Sequence, residues 1–325
     1  MGCIAGHRVN TVAQSADGRD QAPRKYFLRD GAPFVTTSAG CSMNPLPPKS
    51  HPARPLETII LSKDRAAQLD SLLRSVRDHF HIPHGAVHVL HKASAEPFER
   101  GYDLLKRHGI LPDTHWHAER DFRADILALL GALPRMSLVM ILVDDDIVFR
   151  DFSDRALIEA FQPHHLFISL RASRDYRDTQ PHFMRTEPCL EWRWRQRLPK
   201  RQVWNYPFSL DGNIFDRDVL LRLMATLDFK APNSLEKALH RAKRRLSLVM
   251  RGRALAPTQA VIYNNPLNKV QSEWSTWNAG ISADEINARF LAGERICNQP
   301  LYAAVPDSIH YFVPLTFEPS PGARA

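Results

Sequence analysis

Three consecutive aspartates, Asp144, Asp145 and Asp146, directly follow the aliphatic run LVMILV, and the apolar pattern then resumes. Adjacent carboxylates repel one another, and the repulsion grows as water is excluded. A divalent cation relieves it, and Mg²⁺ and Mn²⁺ prefer oxygen ligands of this kind. Alternate residues of an extended chain share a face, so Asp144 and Asp146 point the same way. The motif predicts a Mg²⁺ or Mn²⁺ site, and the alternative is a solvated acidic turn.

The segments around the aspartates alternate between two hydrophobic patterns. Buried strands are predicted for LETIILS, GAVHVLHKA, SLVMILV and HLFISLR. Helices are predicted for KDRAAQLDSLLRSVRDHF, for FERGYDLLKRHG closed by Gly109, and for FRADILALLGAL and ALIEAF. Such alternation predicts an α/β domain with a mainly parallel mixed sheet. Ligands bind beyond the carboxyl ends of strands in these sheets, which is where the aspartates fall.

The composition restricts the class of protein. The chain has 325 residues, 44% of them apolar, and a net charge of +8. No apolar run approaches the roughly 20 residues that span a bilayer. The four cysteines lack the spacing of a zinc knuckle or disulfide framework, which favours reduced thiols and a cytoplasmic setting. The positive charge indicates an anionic partner.

Three regions are predicted along the chain. Residues 1–55 are rich in Pro, Ser and small residues without periodicity, which is typical of a disordered tail. Residues 56–318 carry the alternating pattern and form one domain. Residues 319–325 form a short C-terminal tail.

An aliphatic strand ending in D-x-D within an α/β domain resembles the GT-A-fold, family 2-like glycosyltransferases that use nucleotide-sugars. In that family the motif holds a metal that bridges the donor's diphosphate. The resemblance implies sugar transfer, with inversion, from a nucleoside-diphosphate sugar to a saccharide, lipid-linked glycan or protein hydroxyl. UDP is the carrier expected on family frequency. Asp144 and Asp146 are the implied metal ligands, and Asp144 and Asp145 the implied donor contacts.

The resemblance implies further donor contacts upstream of the aspartates. The opening TIILSKDRAAQLDSLLRSV resembles the family's strand, nucleotide-contacting loop and helix. It places Ser62, Asp64 and Arg65 near the base or ribose. Arg123, at the start of the helix before the D-x-D strand, is a predicted contact to the nucleotide or diphosphate.

Downstream, NYPFSLDGNIFDRDVLLRLM resembles the segment that lines the donor sugar, which implicates Gly212 and Asn213. The stretch PNSLEKAL stands where many inverting members carry the acidic base, often as Glu-Asp. Only Glu236 is present here, so the match is partial. Asp211 is the rival base, and His310 corresponds to a late histidine ligand of the metal.

Each of these assignments has a structural alternative. Glu236 also fits a first-turn carboxylate that completes a capping box with Asn233. Asp211 and Gly212 together also fit a plain turn. His310 also fits a histidine at the end of a buried strand.

Other functions remain open. A nucleotidyltransferase would use the same metal but usually shows a glycine-rich loop, which LSKDRAAQ lacks. A HAD-like phosphatase usually has Thr where Val148 stands. A non-catalytic nucleic-acid-binding protein would use the basic charge and EWRWRQR, although an amphipathic strand explains that motif better. No specific nucleic-acid partner is predicted.

Three further features of the sequence concern possible binding sites. The basic stretch 240–253 suggests a peripheral contact at the inner membrane face, or a solvated helix face. His88 and His91 lie three apart in a predicted strand and so face opposite sides, and a zinc site is therefore not predicted there. The motif HWH, residues 115–117, reads as a loop with Trp116 packed inward.

Overall fold

A computed structural model describes residues 54–82, 85–177, 179–198, 203–246, 252–268 and 281–321. Residues 1–53 lie outside the described residues, so the predicted disordered tail stays a prediction. The helices are α1 (Ala66–His79), α2 (Glu96–His108), α3 (Phe122–Ala132), α4 (Arg155–Glu159), α5 (Arg217–Ala225), α6 (Pro232–Leu246), α7 (Ala283–Leu291) and α8 (Gln299–Tyr302). The strands are β1 (Leu56–Lys63), β2 (Val87–Lys92), β3 (Thr114–Ala118), β4 (Leu138–Val143), β5 (Asp146–Val148), β6 (His165–Ser169), β7 (Phe183–Arg185), β8 (Leu190–Arg193), β9 (Asn213–Asp216), β10 (Arg253–Ala256), β11 (Ile262–Asn264), β12 (Glu294–Ile296) and β13 (Phe317–Pro319).

The central sheet has nine strands in the order β3-β2-β1-β4-β9-β6-β10-β8-β7. All strands except β8 and β9 run in one direction, as the parallel and antiparallel pairings require. The predicted α/β class with a mainly parallel mixed sheet is confirmed. Two small antiparallel pairs, β5 with β11 and β12 with β13, lie outside this sheet. Within the described residues, no helix combines the length and apolar content needed to cross a bilayer.

Strand β4 lies inside the sheet because its residues are apolar on both sides. Leu142 belongs to the core that contains the apolar residues of α1, and Val139 belongs to the core that contains those of α3. Both side chains are fully buried. A strand covered on both faces has a continuous aliphatic run rather than an alternating pattern. The run LVMILV therefore predicted this strand from the sequence.

Two predicted helix boundaries have clear local causes. Helix α2 ends at Gly109, which adopts φ 55° and ψ 41°, a left-handed conformation that glycine enters without a steric penalty. Helix α3 begins after Asp121, whose side chain accepts a hydrogen bond from the Ala124 amide at 2.7 Å. These two boundaries therefore follow from single residues.

Strand β3 corrects the prediction of a loop at HWH. Residues 114–118 pair in parallel with β2, with His115 opposite His88 and His117 opposite Leu90. Trp116 does pack against the core, but from within a strand. The sequence does not show a strand pattern here because β3 is at the edge of the sheet. It has one neighbouring strand and little burial, so its residues need not be apolar.

Strand β9 matters most for the site because it runs antiparallel between two strands of the opposite direction. It pairs with β4 through Ile141 and Asn213, and with β6 through Ser169 and Asn213. Its first residues therefore lie at the sheet edge where β4 and β6 end. This brings the loop that precedes β9 next to the aspartates.

We expect Val139→Ala to lower the free energy of unfolding by about 2–3 kcal/mol, because it removes two buried methyl groups and leaves a cavity. Val139 is 0% exposed, whereas Val305 is 83% exposed. The matched control, Val305→Ala, should change stability by less than about 0.5 kcal/mol. Chemical denaturation of the two variants measures the difference, and equal effects would contradict the assignment of β4 to the centre of the sheet.

Candidate active site

The candidate site lies where the carboxyl ends of β1, β4 and β6 meet the start of β9. The end of β1 is beside the end of β4, since Leu61 pairs with Val143. The three aspartates leave β4 at this point, and Asp146 opens the short strand β5. The sequence placed the aspartates at this edge, and the structure confirms that position.

Asp144 and Asp145 are bridged by one arginine. Arg65 Nη1 donates to Asp144 Oδ1 at 2.9 Å and to Asp145 Oδ2 at 3.1 Å. The other oxygen of Asp144 accepts the Lys63 amide at 3.0 Å, and the other oxygen of Asp145 accepts Asn264 Nδ2 at 2.7 Å. Burial raises the pKa of Asp144 to about 6 in spite of the positive charge of Arg65.

Arg65 is itself held in place from the opposite side. Its Nε donates to Asn268 Oδ1 at 2.7 Å, and its Nη2 donates to the Asn268 carbonyl. Burial disfavours the guanidinium charge, but Asp144 and Asp145 outweigh it and raise the pKa of Arg65. Arg65 therefore connects the end of β1 to the acidic motif and to the segment after β11.

Asp146 differs from its two neighbours in having an oxygen without a partner. Its Oδ2 accepts the Val143 amide at 3.0 Å, whereas no donor in the described residues reaches Oδ1. The residue is 0% exposed, so water does not substitute freely. Burial, and after it the negative charge of Asp211, raises the pKa of Asp146 well above its usual range.

Asp211 and Arg171 form a buried ion pair next to Asp146. Arg171 Nη1 donates to Asp211 Oδ2 at 2.8 Å, and its Nη2 donates to Ser209 Oγ at 2.5 Å. Only 2% of the Arg171 side chain is exposed, against 19% for Asp211. Burial opposes the charge of Arg171, yet the charges of Asp211 and Asp146 raise its pKa.

Gly212 permits this arrangement at the start of β9. Its φ of 69° is left-handed, and a Cβ there would lie 3.1 Å from Cγ of Arg171. Its amide donates to the Ile141 carbonyl at 2.8 Å, and its carbonyl accepts the Leu170 amide at 2.9 Å. The space beside Gly212, which the resemblance assigns to the donor sugar, is occupied in this structure by the Arg171 side chain.

Glu236 reaches back from α6 to the same loop. Its Oε1 accepts the Leu210 amide at 2.8 Å, and its Oε2 accepts the Tyr206 hydroxyl at 3.1 Å. Burial, and after it the charge of Asp211, raises the pKa of Glu236 to about 7. Its side chain therefore faces the loop before Asp211, and the alternative of a capping box with Asn233 does not describe its observed partners.

His310 lies at the rim of the cluster. Its Nδ1 is 3.3 Å from Asn264 Oδ1, and residue 264 in turn donates to Asp145. Desolvation by the surrounding residues, followed by the charge of Arg171, lowers the pKa of His310. The structure thus places His310 near the acidic motif, with Asn264 between its ring and Asp145.

Ser62 and Asp64 lie at the end of β1 but are engaged with the scaffold. Ser62 Oγ is 2.7 Å from the Tyr102 hydroxyl, and Asp64 Oδ1 accepts the Ser94 amide at 2.6 Å. Asn213 is buried and donates to the Pro207 carbonyl at 3.4 Å. Their roles as donor contacts stay predictions.

Arg123 is engaged away from the acidic motif. It donates to the backbone carbonyls of Leu227 and Ala225, just after and at the end of α5, at 2.8 and 2.9 Å. Its guanidinium also stacks over the Phe229 ring at 5.8 Å. Its predicted contact to the nucleotide stays a prediction and would require these interactions to change.

The residues present fit a hard divalent cation at Asp146. Oδ1 is buried and unpartnered, and the negative charges of Asp146 and Asp211 face the single nearby guanidinium of Arg171, so negative charge is in excess there. Carboxylate oxygens are the ligands that Mg²⁺ and Mn²⁺ prefer. Asp144 fits less directly, because both of its oxygens already accept hydrogen bonds. His310 contacts Asn264, and the charges of Asp211 and Asp145 act on its ring.

Sequence reasoning missed several members of the cluster. Arg171 follows β6 in SLRASRD, and an arginine at the carboxyl end of a buried strand was a usable signal. Asn264, Asn265 and Asn268 belong to the run NNPLN, whose dense amides also stood out in composition. Tyr206 carried no signal, since only the tertiary contact with Glu236 distinguishes it.

A second group of side chains that could ligate a metal lies at the opposite end of β6. It comprises His164, His165 and Glu191. The His165 Nδ1 accepts the Gln162 amide at 2.9 Å, so the ring proton is on Nε2, which is 3.4 Å from Glu191. Arg253 also donates to that carboxylate at 3.0 Å. A protonated Nε2 cannot ligate a metal, and this group is explained as an internal ion-pair network.

We expect Asp146→Asn to abolish Mn²⁺-dependent thermal stabilisation while leaving the metal-free protein as stable as the parent or more so. The substitution removes a buried charge that repels Asp211. In the parent, Mn²⁺ at 100 times its dissociation constant should raise the free energy of unfolding by about 2.7 kcal/mol. Thermal unfolding with and without Mn²⁺ measures both effects, and Asp103→Asn on the exposed face of α2 is the matched control. A stabilisation that survives Asp146→Asn would refute the ligand role.

No protein-family model matches the chain, and no curated protein matches it in sequence. Solved structures resemble it at low identity. S. aureus TarS 1–349 in complex with UDP-GlcNAc is 13% identical over 69% of this chain and 61% of that one, with a TM-score of 0.42. The mannosyltransferase PcManGT from Pyrobaculum calidifontis, in complex with GDP-Man and Mn²⁺, is 15% identical over 63% and 55%, with a TM-score of 0.39.

A 4-diphosphocytidyl-2C-methyl-D-erythritol synthase is also similar, at 10% identity over 57% of this chain and 84% of that one, with a TM-score of 0.35. The chain spans about 60% of the length of TarS 1–349. All of these TM-scores are below 0.5, so reaction and substrates are inferred from the site itself. The likeness of the chain to these three solved structures is one of overall fold alone.

Proposed function

We propose that the protein is a metal-dependent glycosyltransferase that moves a sugar from a nucleoside-diphosphate sugar, with UDP as the expected carrier, to an acceptor hydroxyl with inversion. The acceptor is proposed to be a saccharide, a lipid-linked glycan or a protein side chain. The observation that carries the proposal is the unpartnered, buried oxygen of Asp146 at the carboxyl edge of the sheet.

Two arginines support a diphosphate at this place. Arg65 is bonded to Asp144 and Asp145, and Arg171 is bonded to Asp211 and is close enough to Asp146 for its charge to lower that residue's pKa. Guanidinium groups suit phosphate oxygens, and a donor would compete with the carboxylates for them. Mn²⁺ or Mg²⁺ held by Asp146, with Asp144 and His310 as further candidates, would neutralise the leaving diphosphate. Asp64 and Ser62 are proposed to contact the nucleoside of the nucleotide-sugar donor.

Glu236 is the proposed base, and Asp211 is the rival. A pKa of about 7 gives Glu236 a large deprotonated fraction at neutral pH together with a useful proton affinity. Asp211 lies closer to the acidic motif, with a more accessible side chain and an ion pair to Arg171. A deprotonated carboxylate at either position would take the proton of the acceptor hydroxyl. Gly212 and Asn213 are proposed to line the sugar between them.

The other functions have less support. Trp192 is fully buried, with its Nε1 bonded to the Trp204 carbonyl at 2.8 Å, so it does not offer a base-stacking surface. A phosphatase would need Asp144 as nucleophile, but both of its oxygens are hydrogen-bonded. A nucleotidyltransferase would use the same metal site. Only the substrates it accepts would distinguish it from a glycosyltransferase. The proposed membrane contact rests on residues 240–253, which are only partly described.

A panel of nucleotide-sugars with and without Mn²⁺ tests the proposed reaction. We expect one donor class to raise the melting temperature only with Mn²⁺, and to be hydrolysed slowly to the nucleoside diphosphate. Nucleoside triphosphates with sugar phosphates form the second arm. Release of pyrophosphate in that arm, without nucleotide-sugar turnover, would replace the proposal with a nucleotidyltransferase.

We expect Glu236→Gln to lower kcat by about 10²–10⁴-fold while donor affinity stays unchanged, because the loss of a general base affects only the chemical step. In the parent, kcat should fall about tenfold per pH unit below pH 7, since protonation removes the base form of a group with a pKa near 7. That limb should disappear in Glu236→Gln. Near-parental turnover of Glu236→Gln, with a large loss in Asp211→Asn, would assign the base to Asp211.

A further inference from the structure

One arginine holds the two carboxylates that precede the candidate metal ligand Asp146. Arg65 Nη1 donates to Asp144 Oδ1 at 2.9 Å and to Asp145 Oδ2 at 3.1 Å. Only 10% of the Arg65 side chain is exposed, against 4% for Asp144 and 12% for Asp145. A single guanidinium therefore serves as the counter-cation of two carboxylates at a place that water barely reaches.

The two oxygens of Asp144 are held in different ways. Oδ2 accepts the Lys63 amide at 3.0 Å, and this amide belongs to the backbone of β1. Oδ1 accepts a bond from the side chain of Arg65, which can turn without disturbing the sheet. Asp146, in contrast, has a buried oxygen that no donor in the described part of the chain reaches. The candidate metal site is therefore open at Asp146 and covered by Arg65 at Asp144.

A divalent cation and the Arg65 guanidinium compete for Asp144. Mg²⁺ binds oxygen at about 2.0–2.1 Å, which leaves little room for a guanidinium on the same carboxylate oxygen. The two cations also repel each other, and the repulsion is strong where water is scarce. Metal binding at Asp144 therefore requires that Arg65 gives up its bond to Oδ1.

Asn268 holds Arg65 on the other edge of the guanidinium. The Nε atom donates to Asn268 Oδ1 at 2.7 Å, and Nη2 donates to the Asn268 carbonyl. The planar fork of a guanidinium suits phosphate oxygens as well as it suits carboxylates. The diphosphate of a bound donor is therefore a ligand for which Arg65 can exchange Asp144.

We propose that Arg65 is the resident counter-cation of the acidic motif and controls when Asp144 is available to the metal. In the donor-free protein Arg65 covers Asp144 Oδ1, and the protein holds Mn²⁺ weakly, through Asp146. The diphosphate of the donor takes over the guanidinium and frees Asp144. This donor step rests on the proposed function, whereas the competition with the metal rests on the contacts of Arg65 alone.

Titration of the metal-free full chain with Mn²⁺ tests the competition, with the free ion measured by its electron paramagnetic resonance signal. We expect Arg65→Gln to bind Mn²⁺ about tenfold more tightly than the parent, because a competing cation is removed. Arg155→Gln is the matched control, since it removes the same charge from an exposed ion pair with Glu159, and its affinity should equal that of the parent. Unchanged or weaker Mn²⁺ binding by Arg65→Gln would overturn the proposal.

A second pair of variants covers the case in which Arg65→Gln does not fold, because that substitution leaves buried carboxylates uncompensated. The pair is Asp145→Asn with and without Arg65→Gln, and both proteins keep Asp144 and Asp146. The double variant should again bind Mn²⁺ about tenfold more tightly than Asp145→Asn does. Equal affinities of the two would reject the competition. Circular dichroism and the metal-free melting temperature establish that each variant folds.

The donor step is measured by repeating the Mn²⁺ titration with saturating UDP. We expect UDP to raise the Mn²⁺ affinity of the parent by about tenfold more than that of Arg65→Gln, because only the parent has a guanidinium to release. Equal enhancement in the two proteins would rule out the donor step. If no nucleoside diphosphate binds to the parent, the proposed function fails together with the donor step, and the titration without nucleotide still decides whether Arg65 competes with the metal.

Discussion

The candidate active site depends on how negative charge is compensated at the end of a buried strand. Asp144, Asp145, Asp146 and Asp211 converge where water is largely excluded, which makes their mutual repulsion costly. Arg65 offsets the first two and Arg171 offsets Asp211, through hydrogen bonds of 2.8–3.1 Å. Asp146 is the carboxylate with an oxygen that the described residues leave unpaired. Two guanidinium groups therefore face four carboxylates, which leaves an excess of negative charge beside the unpaired oxygen of Asp146.

The charged residues that offset this repulsion are placed on separate elements of the fold. The aspartates follow β4, Arg65 follows β1, Arg171 follows β6, and Asp211 precedes the antiparallel strand β9. Strands that point the same way bring their carboxyl ends to one edge, and an inserted antiparallel strand brings its amino end there. Gly212 allows the closest of these approaches, between the start of β9 and the Arg171 stem. The chemistry thus depends on the sheet order more than on any single loop.

The group formed by His164, His165 and Glu191 shows why residue type alone does not define a metal site. Their possible ligand atoms lie within reach of one another, yet a backbone amide fixes the ring proton of His165 on the nitrogen that would bind. The position of one proton on this ring therefore makes the group an internal ion-pair network rather than a ligand set.

The sequence by itself determined the most strongly patterned strands and helices and the acidic motif. Continuous aliphatic runs and helical spacing identified β1, β2, β4, β6 and the helices between them, because those patterns are local consequences of burial. D-x-D at the end of β4 indicated the edge of the sheet where the candidate site is proposed. Tertiary structure alone decided which carboxylates are compensated, since Arg171, Asn264 and Tyr206 reach the cluster from distant positions in the chain. It also decided that HWH is an edge strand, because pairing with β2 rather than local hydrophobicity orders those residues. Contacts between residues far apart in sequence depend on strand order and register, which no local pattern encodes.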